Sequence, residues 1–131
     1  MTKEDGLSHR IIGAALEVHK VLGPGLLESA YQKCLCRELS LEGMDFEYEP
    51  YVPIEYKGLM VQAYRADIVV EGLVIVEVKA VARLTSLFAA QVLTYLRASG
   101  LRLGLLLNFN SVYLRDGILR VVNDLEPAPE E

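Results

Sequence analysis

Asp67, Glu77 and Lys79 lie within Tyr64–Ala80, Y-R-A-D-I-V-V-E-G-L-V-I-V-E-V-K-A, among aliphatic residues of the kind that fill sheet interiors. β-Branched runs on either side of Glu71-Gly72 predict two strands joined by a short hairpin. A three-residue loop, Glu71 to Leu73 with Gly72 left-handed, sets Val70 opposite Val74 and Asp67 opposite Glu77. One face then carries Ile68, Val70, Val74, Val76 and Val78, and the other Asp67, Val69, Ile75, Glu77 and Lys79. A two-residue loop would instead mix Glu77 and Lys79 with Ile68, Val70 and Ile75, so the longer loop is the expectation. Two facing carboxylates repel unless one is protonated or a cation lies between them, and oxygen ligands suit a hard divalent ion. Taken alone, Glu77-x-Lys79 reads as a solvated strand face with a cross-strand ion pair, and only further features of the chain shift that reading.

Several elements must position these groups. Apolar spacing predicts a helix from about Leu7 to Leu22, with Ile12, Ala15, Leu16, His19 and Leu22 on one stripe. His19 reads there as a core histidine bonded to backbone rather than as a ligand. Gly23-Pro24-Gly25 breaks the helix, and a second runs from Leu26 to about Glu42 with Tyr31, Leu35 and Leu39 inward. Glu28 shares that stripe, which draws it inward, and a buried carboxylate needs a partner. Phe46 to Lys57 is strand-like, with Pro50 and Pro53 limiting it to an edge or an irregular stretch, and a further strand from Leu59 continues into the charged segment. A helix from about Thr85 to Ser99 places Leu84, Phe88, Gln91 and Tyr95 on one side, so that Gln91 faces the sheet. Leu101 to Phe109 reads as a strand buried on both faces, and Val112 to Val122 as a hairpin around Asp116-Gly117. The expected fold is α/β (mixed α+β), a central mixed sheet flanked by helices in the order ααβββαβββ.

At 131 residues the chain fits one domain, expected at residues 7–123 between a flexible start at 1–6 and a disordered acidic, proline-rich tail at 124–131. No apolar run reaches the roughly 18 to 20 residues needed to span a bilayer. The first ten residues lack the apolar core of a signal peptide, which predicts a cytoplasmic location. Cys34 and Cys36, two apart on a helix, point away from each other and read as half-buried packing residues. A net charge of −5 argues against tight, nonspecific binding to duplex nucleic acid, but a metal-binding carboxylate cluster adds its own acidity.

Gly25-Leu26-Leu27-Glu28-Ser29-Ala30-Tyr31, preceded by V-H-K-V-L-G-P, resembles the G-x-x-E-x-x-Y signature of the GxxExxY family of the PD-(D/E)XK nuclease-like superfamily. The resemblance extends from about Ile11 to Val122, with the metal-binding aspartate on Asp67, the E-x-K element on Glu77 to Lys79 and the helical acid on Glu28. Gln91-Val92-Leu93-Thr94-Tyr95 resembles the Q-x-x-x-Y element of the exonuclease branch that works in recombination and repair. The resemblance implies a restriction-endonuclease-like core and metal-dependent hydrolysis of nucleic-acid phosphodiesters, DNA more than RNA. It assigns Mg²⁺ or Mn²⁺ to Glu28, Asp67, Glu77 and the Val78 carbonyl. Glu28, Asp67, Glu77, Lys79 and Gln91 become the catalytic candidates, and Tyr95 and Tyr31 the substrate-positioning ones. The superfamily also contains members that bind without cutting. The alternatives are therefore a silent module for nucleic-acid ends, nucleotides or a partner protein, and a structural subunit with a buried ion network. A homodimer is compatible with each.

Overall fold

The computed structural model describes residues 2–125, and its first element, α1 (Lys3–Leu22), begins well before the expected Leu7. Thr2 and Asp5 form a reciprocal capping box, so the expected flexible start gives way to helix at Lys3. The rest of the expected tail, residues 126–131, lies outside the described residues. The inward face of α1 also differs from the expected stripe: Leu7, Ile11, Ala14, Ala15 and Val18 are buried, whereas Leu16 and Leu22 are exposed. Apolar residues occur all round this helix, so periodicity identifies the helix without fixing its rotation. On α2 (Glu28–Leu41) the expected stripe is the buried one, Tyr31, Leu35 and Leu39, with Gln32 added.

Five strands form the main sheet in the order β1 (Phe46–Tyr48), β4 (Ile68–Val70), β5 (Val74–Lys79), β6 (Leu103–Asn108), β7 (Ile118–Val122). Only β5 and β6 run parallel, and helix α3 (Ser86–Ser99) makes the crossover between them. Strands β2 (Tyr51–Tyr56) and β3 (Leu59–Arg65) form a separate antiparallel ribbon. The Phe46–Lys57 stretch breaks at Glu49, whose φ is positive, and at Pro50, leaving β1 as a sheet edge as the prolines require. The strand expected to run unbroken from Leu59 changes partner at Ala66-Asp67: the Ala66 amide donates to the Pro50 carbonyl, and the Glu49 amide to that of Asp67.

The β4–β5 hairpin has the predicted register, with Val70 opposite Val74 and Ile68 opposite Val76. Both Glu71 and Gly72 have positive φ, and the Leu73 amide closes the turn on the Val70 carbonyl. Glu71 tolerates that conformation while bonded on both sides to Asp45: its amide donates to the Asp45 carbonyl, and its carboxylate accepts from the Asp45 amide at 2.7 Å. Ile68, Val70, Val74, Val76 and Val78 pack with α1 and α2, while Val69 and Ile75 pack with Val92 and Leu96 of α3. Strand β6 is buried throughout, as its apolar run predicts.

The expected Val112–Val122 hairpin is not formed. Leu114–Gly117 is a 3-10 helix, and β7 pairs with β6 instead. Asp116-Gly117 resembles a hairpin turn, but the glycine serves a close approach: a Cβ there would lie 2.7 Å from the Asn108 carbonyl oxygen. No helix among the described residues is long and apolar enough to cross a membrane.

Candidate active site

The hairpin register sets the first half of the site. Asp67 precedes β4, and there its Oδ2 accepts the Val78 amide at 2.8 Å. The Asp67 carbonyl accepts from the Glu49 amide and, at 3.2 Å, from Gln32 Nε2. The Val78 amide thus holds the carboxyl, while the Glu49 amide and the Gln32 side chain hold the backbone of the same residue. Glu77 is 2 % exposed, and its Oε1 is sealed from solvent with no hydrogen-bond partner among the described residues. Burial, and then the neighbouring Asp67 charge, push the Glu77 carboxyl up to about 8, against the opposing pull of Tyr64 and Lys79. Burial raises Asp67 as well; the Val78 amide and Lys79 oppose that rise, and the Glu28 charge adds to it. The two carboxyls titrate as a coupled pair, one of which is protonated near neutral pH in the absence of a cation.

Glu28 opens α2 and is exposed rather than drawn inward, but its Oε1 accepts the Ala80 amide at 3.3 Å, which sets it beside the end of β5. Tyr31 prepares that placement from a distance. Its buried hydroxyl donates to the Gly23 carbonyl at 2.6 Å and accepts the Leu26 amide at 3.0 Å, and its ring stacks on Phe109. Tyr31 is therefore a core residue that pins the Gly23–Leu26 turn and does not reach the carboxylates. Val78 contributes its amide to Asp67, while its side chain belongs to the apolar layer under α1 and α2.

Lys79 ends β5 half-buried, with Nζ 5.0 Å from the Phe88 ring centroid. Beyond it the chain is clamped: the buried Asn108 amide bonds both the amide and the carbonyl of Val81 at 3.0 Å, and the Phe109 amide donates to the Lys79 carbonyl. On α3, Tyr95 is half-buried and stacked face to face on Tyr64, ring centroids 3.3 Å apart. Gln91 lies on the same side, between Phe88 and Tyr95, but is exposed and makes no hydrogen bond to the carboxylates among the described residues. The buried positions of α3 are Val92 and Leu96, so the sheet-facing stripe runs one residue away from Gln91.

Sequence reasoning passed over Gln32, Tyr64 and Asn108. Gln32 follows Tyr31 on the inward face of α2, and Asn108 is the polar residue at the end of an otherwise apolar strand, a signal that could have marked it. Tyr64 gave no such signal, because its approach to Glu77 depends on how the ribbon leans on α3. His19 behaves as expected, with Nε2 bonded to the Ser111 carbonyl at 2.8 Å, and Cys34 and Cys36 are free and half-buried. The larger surface clefts lie elsewhere. One of about 560 Å³ between α1 and α2 is lined by Arg10, Glu17, Glu38 and Met44, none of them a candidate residue, so size does not locate the chemistry.

A hard cation suits this donor set in kind: carboxylate oxygens alone, one of them buried without a partner beside a second carboxyl. Among the described residues, no three His, Cys, Asp or Glu side chains are grouped closely enough to hold an ion. A family model described as the PD-(D/E)XK nuclease superfamily matches residues 5–121. No curated protein and no solved structure matches the chain. With that match spanning nearly the whole domain, and with a mixed sheet flanked by helices, the chain belongs to the PD-(D/E)XK nuclease superfamily.

Proposed function

We propose that this chain is a metal-dependent nuclease of the GxxExxY type that hydrolyses phosphodiester bonds of nucleic acid, DNA more than RNA, in the cytoplasm. The observation that carries the reading is the buried, unpartnered Oε1 of Glu77 facing the Asp67 carboxyl at the end of a strand that terminates in Lys79. Mg²⁺ or Mn²⁺ would be held by Asp67 and Glu77, with the Val78 carbonyl and Glu28 as further oxygen donors. When bound, such an ion supplies a water of lowered pKa and so removes the need for a histidine base. Lys79 meets the negative charge that develops on the phosphoryl oxygens. Gln91, exposed on the side of α3 that carries Phe88 and Tyr95, orients a phosphate oxygen, and Tyr95 braces that helix.

A second reading draws on a specific observation. Glu28 is exposed, with one oxygen bonded to the Ala80 amide, as befits a nuclease-fold module that binds nucleic-acid ends, nucleotides or a partner protein without cutting. Lys79 separates the two. In the nuclease, Lys79→Ala leaves Mn²⁺ binding nearly intact and lowers cleavage by about a hundredfold or more. In the binder, the same change weakens nucleic-acid affinity and reduces its salt dependence. Cleavage and binding measured on single-stranded, duplex and flapped DNA with the same variant decide. No cleavage by the parent on any of these with Mg²⁺ or Mn²⁺ overturns the nuclease.

A further inference from the structure

Asn108 ends β6, opposite Lys79 in the parallel register with β5, and is the one polar residue of that strand, 3 % exposed. Its side-chain amide continues the ladder where the strands stop: Oδ1 accepts the Val81 amide and Nδ2 donates to the Val81 carbonyl, both at 3.0 Å. Asn110 Nδ2 adds a bond to the same carbonyl at 3.3 Å. The Phe109 amide donates to the Lys79 carbonyl at 2.9 Å, so the residues on both sides of Ala80 are tied to the end of β6. Ala80 itself is not tied there. Its amide donates to Oε1 of Glu28 at 3.3 Å, the one side-chain hydrogen bond of Glu28 among the described residues. An exposed glutamate has several rotamers open to it, and this bond selects one only if the amide is held in a fixed direction.

We propose that Asn108 is a positioning residue for Glu28: by clamping Val81 it aims the Ala80 amide at the Glu28 carboxylate and so holds the acid of α2 at the end of β5. This rests on the metal-site reading above and deepens it. The chemistry of the side chain fits the task, because only an amide offers a donor and an acceptor side by side to one residue's carbonyl and N–H. A leucine would extend the apolar run of β6 and leave both Val81 groups without a partner. An aspartate would keep the acceptor and set a second oxygen against the Val81 carbonyl.

Asn108→Ala removes both bonds to Val81, and Glu28→Gln removes the charge at the other end of the contacts. In metal-free protein, NMR should show the Ala80 amide resonance moving when Glu28→Gln is made in the parent and hardly moving when it is made in Asn108→Ala. No shift in the parent, or an equal shift in both backgrounds, overturns the proposal. Calorimetric titration with MnCl₂ gives a second readout. Each single variant should bind Mn²⁺ about tenfold more weakly, and the double variant no more weakly than Glu28→Gln alone, because both changes act on one group. Losses that multiply to about a hundredfold overturn the proposal, since a residue acting independently of Glu28 predicts them. Leu35→Ala, a destabilised control remote from the exit of β5, should keep the parent's affinity per folded molecule. If Asn108→Ala does not fold, the same comparisons are made with Asn108→Asp, which removes only the donor to the Val81 carbonyl. If the parent binds no Mn²⁺, the metal reading fails by itself, and the NMR comparison alone upholds or overturns the assignment of Asn108.

Discussion

The two faces of strands β4 and β5 are built from the same short sequence and do opposite things. Under α1 and α2 the alternating positions are apolar to the end, from Ile68 through Val78, and all are buried. Under α3 the apolar series covers Val69 and Ile75, and the next inward position is Glu77. The cover explains the difference. Helices α1 and α2 together seal their face with Ile11, Ala15, Val18, Tyr31, Leu35 and Leu39, whereas α3 buries only Val92 and Leu96. A charge beneath α1 and α2 would meet nothing that could compensate it. At the thinner end of the α3 face it meets Asp67, Lys79 and Tyr64. Stability is concentrated on one side of the sheet and chemistry on the other.

The largest effect that tests this division is on the sealed face. Leu35→Ala deletes a fully buried side chain and should cost about 2–5 kcal/mol in denaturant unfolding, while the molecules that remain folded keep their metal affinity. A comparable loss of metal affinity per folded molecule would mean that the two faces are not separable.

On the other face the effect depends on pH. The folded Glu77 carboxyl lies at about 8, above its ordinary value near 4.5, so the folded state holds a proton that the unfolded chain releases. This stability is fully present below about pH 4.5 and is lost as pH rises toward 8, on the order of 4 kcal/mol for an isolated group. Metal-free melting temperature should therefore fall between pH 5 and 8, and Glu77→Gln should flatten that fall. A parent whose melting rises over that interval, or a variant with the same slope, contradicts the placement of the burden on Glu77.

A smaller effect lies at the boundary between the faces. Tyr31→Phe keeps the stack on Phe109 and removes the hydroxyl that holds the Gly23 carbonyl and the Leu26 amide, which should cost about 1–3 kcal/mol. Because Tyr31 does not reach the carboxylates, cleavage by the folded variant should change far less than it does on loss of Lys79. A loss as deep as that of Lys79→Ala would return Tyr31 to the substrate.

The hairpin carrying Asp67 and Glu77 was legible because alternation leaves only one register that keeps charge off the apolar face, and that register is the observed one. The stripe of α2 was legible for the same reason, since polar residues interrupt it on every other side. Where apolar residues surround a helix, as on α1, the pattern identified the element but not its buried face. Gln91 was misread because Phe88 and Tyr95, on either side of it, are themselves only half-buried, and the helix rotates Val92 inward instead. Asp116-Gly117 misled because a glycine needed for close packing on Asn108 has the composition of a turn. Tyr64 could not be read at all: its contacts join a ribbon, a helix and a sheet that sequence spacing does not relate.

The central claim is that Asp67 and Glu77 form one cation site, and the most direct test is calorimetric titration of MnCl₂ into the parent and into Asp67→Asn at the same pH. The account predicts saturable binding by the parent and affinity at least about tenfold weaker in Asp67→Asn, which retains the side chain's shape and loses its charge. Equal binding by the two proteins, or none by the parent, would contradict it.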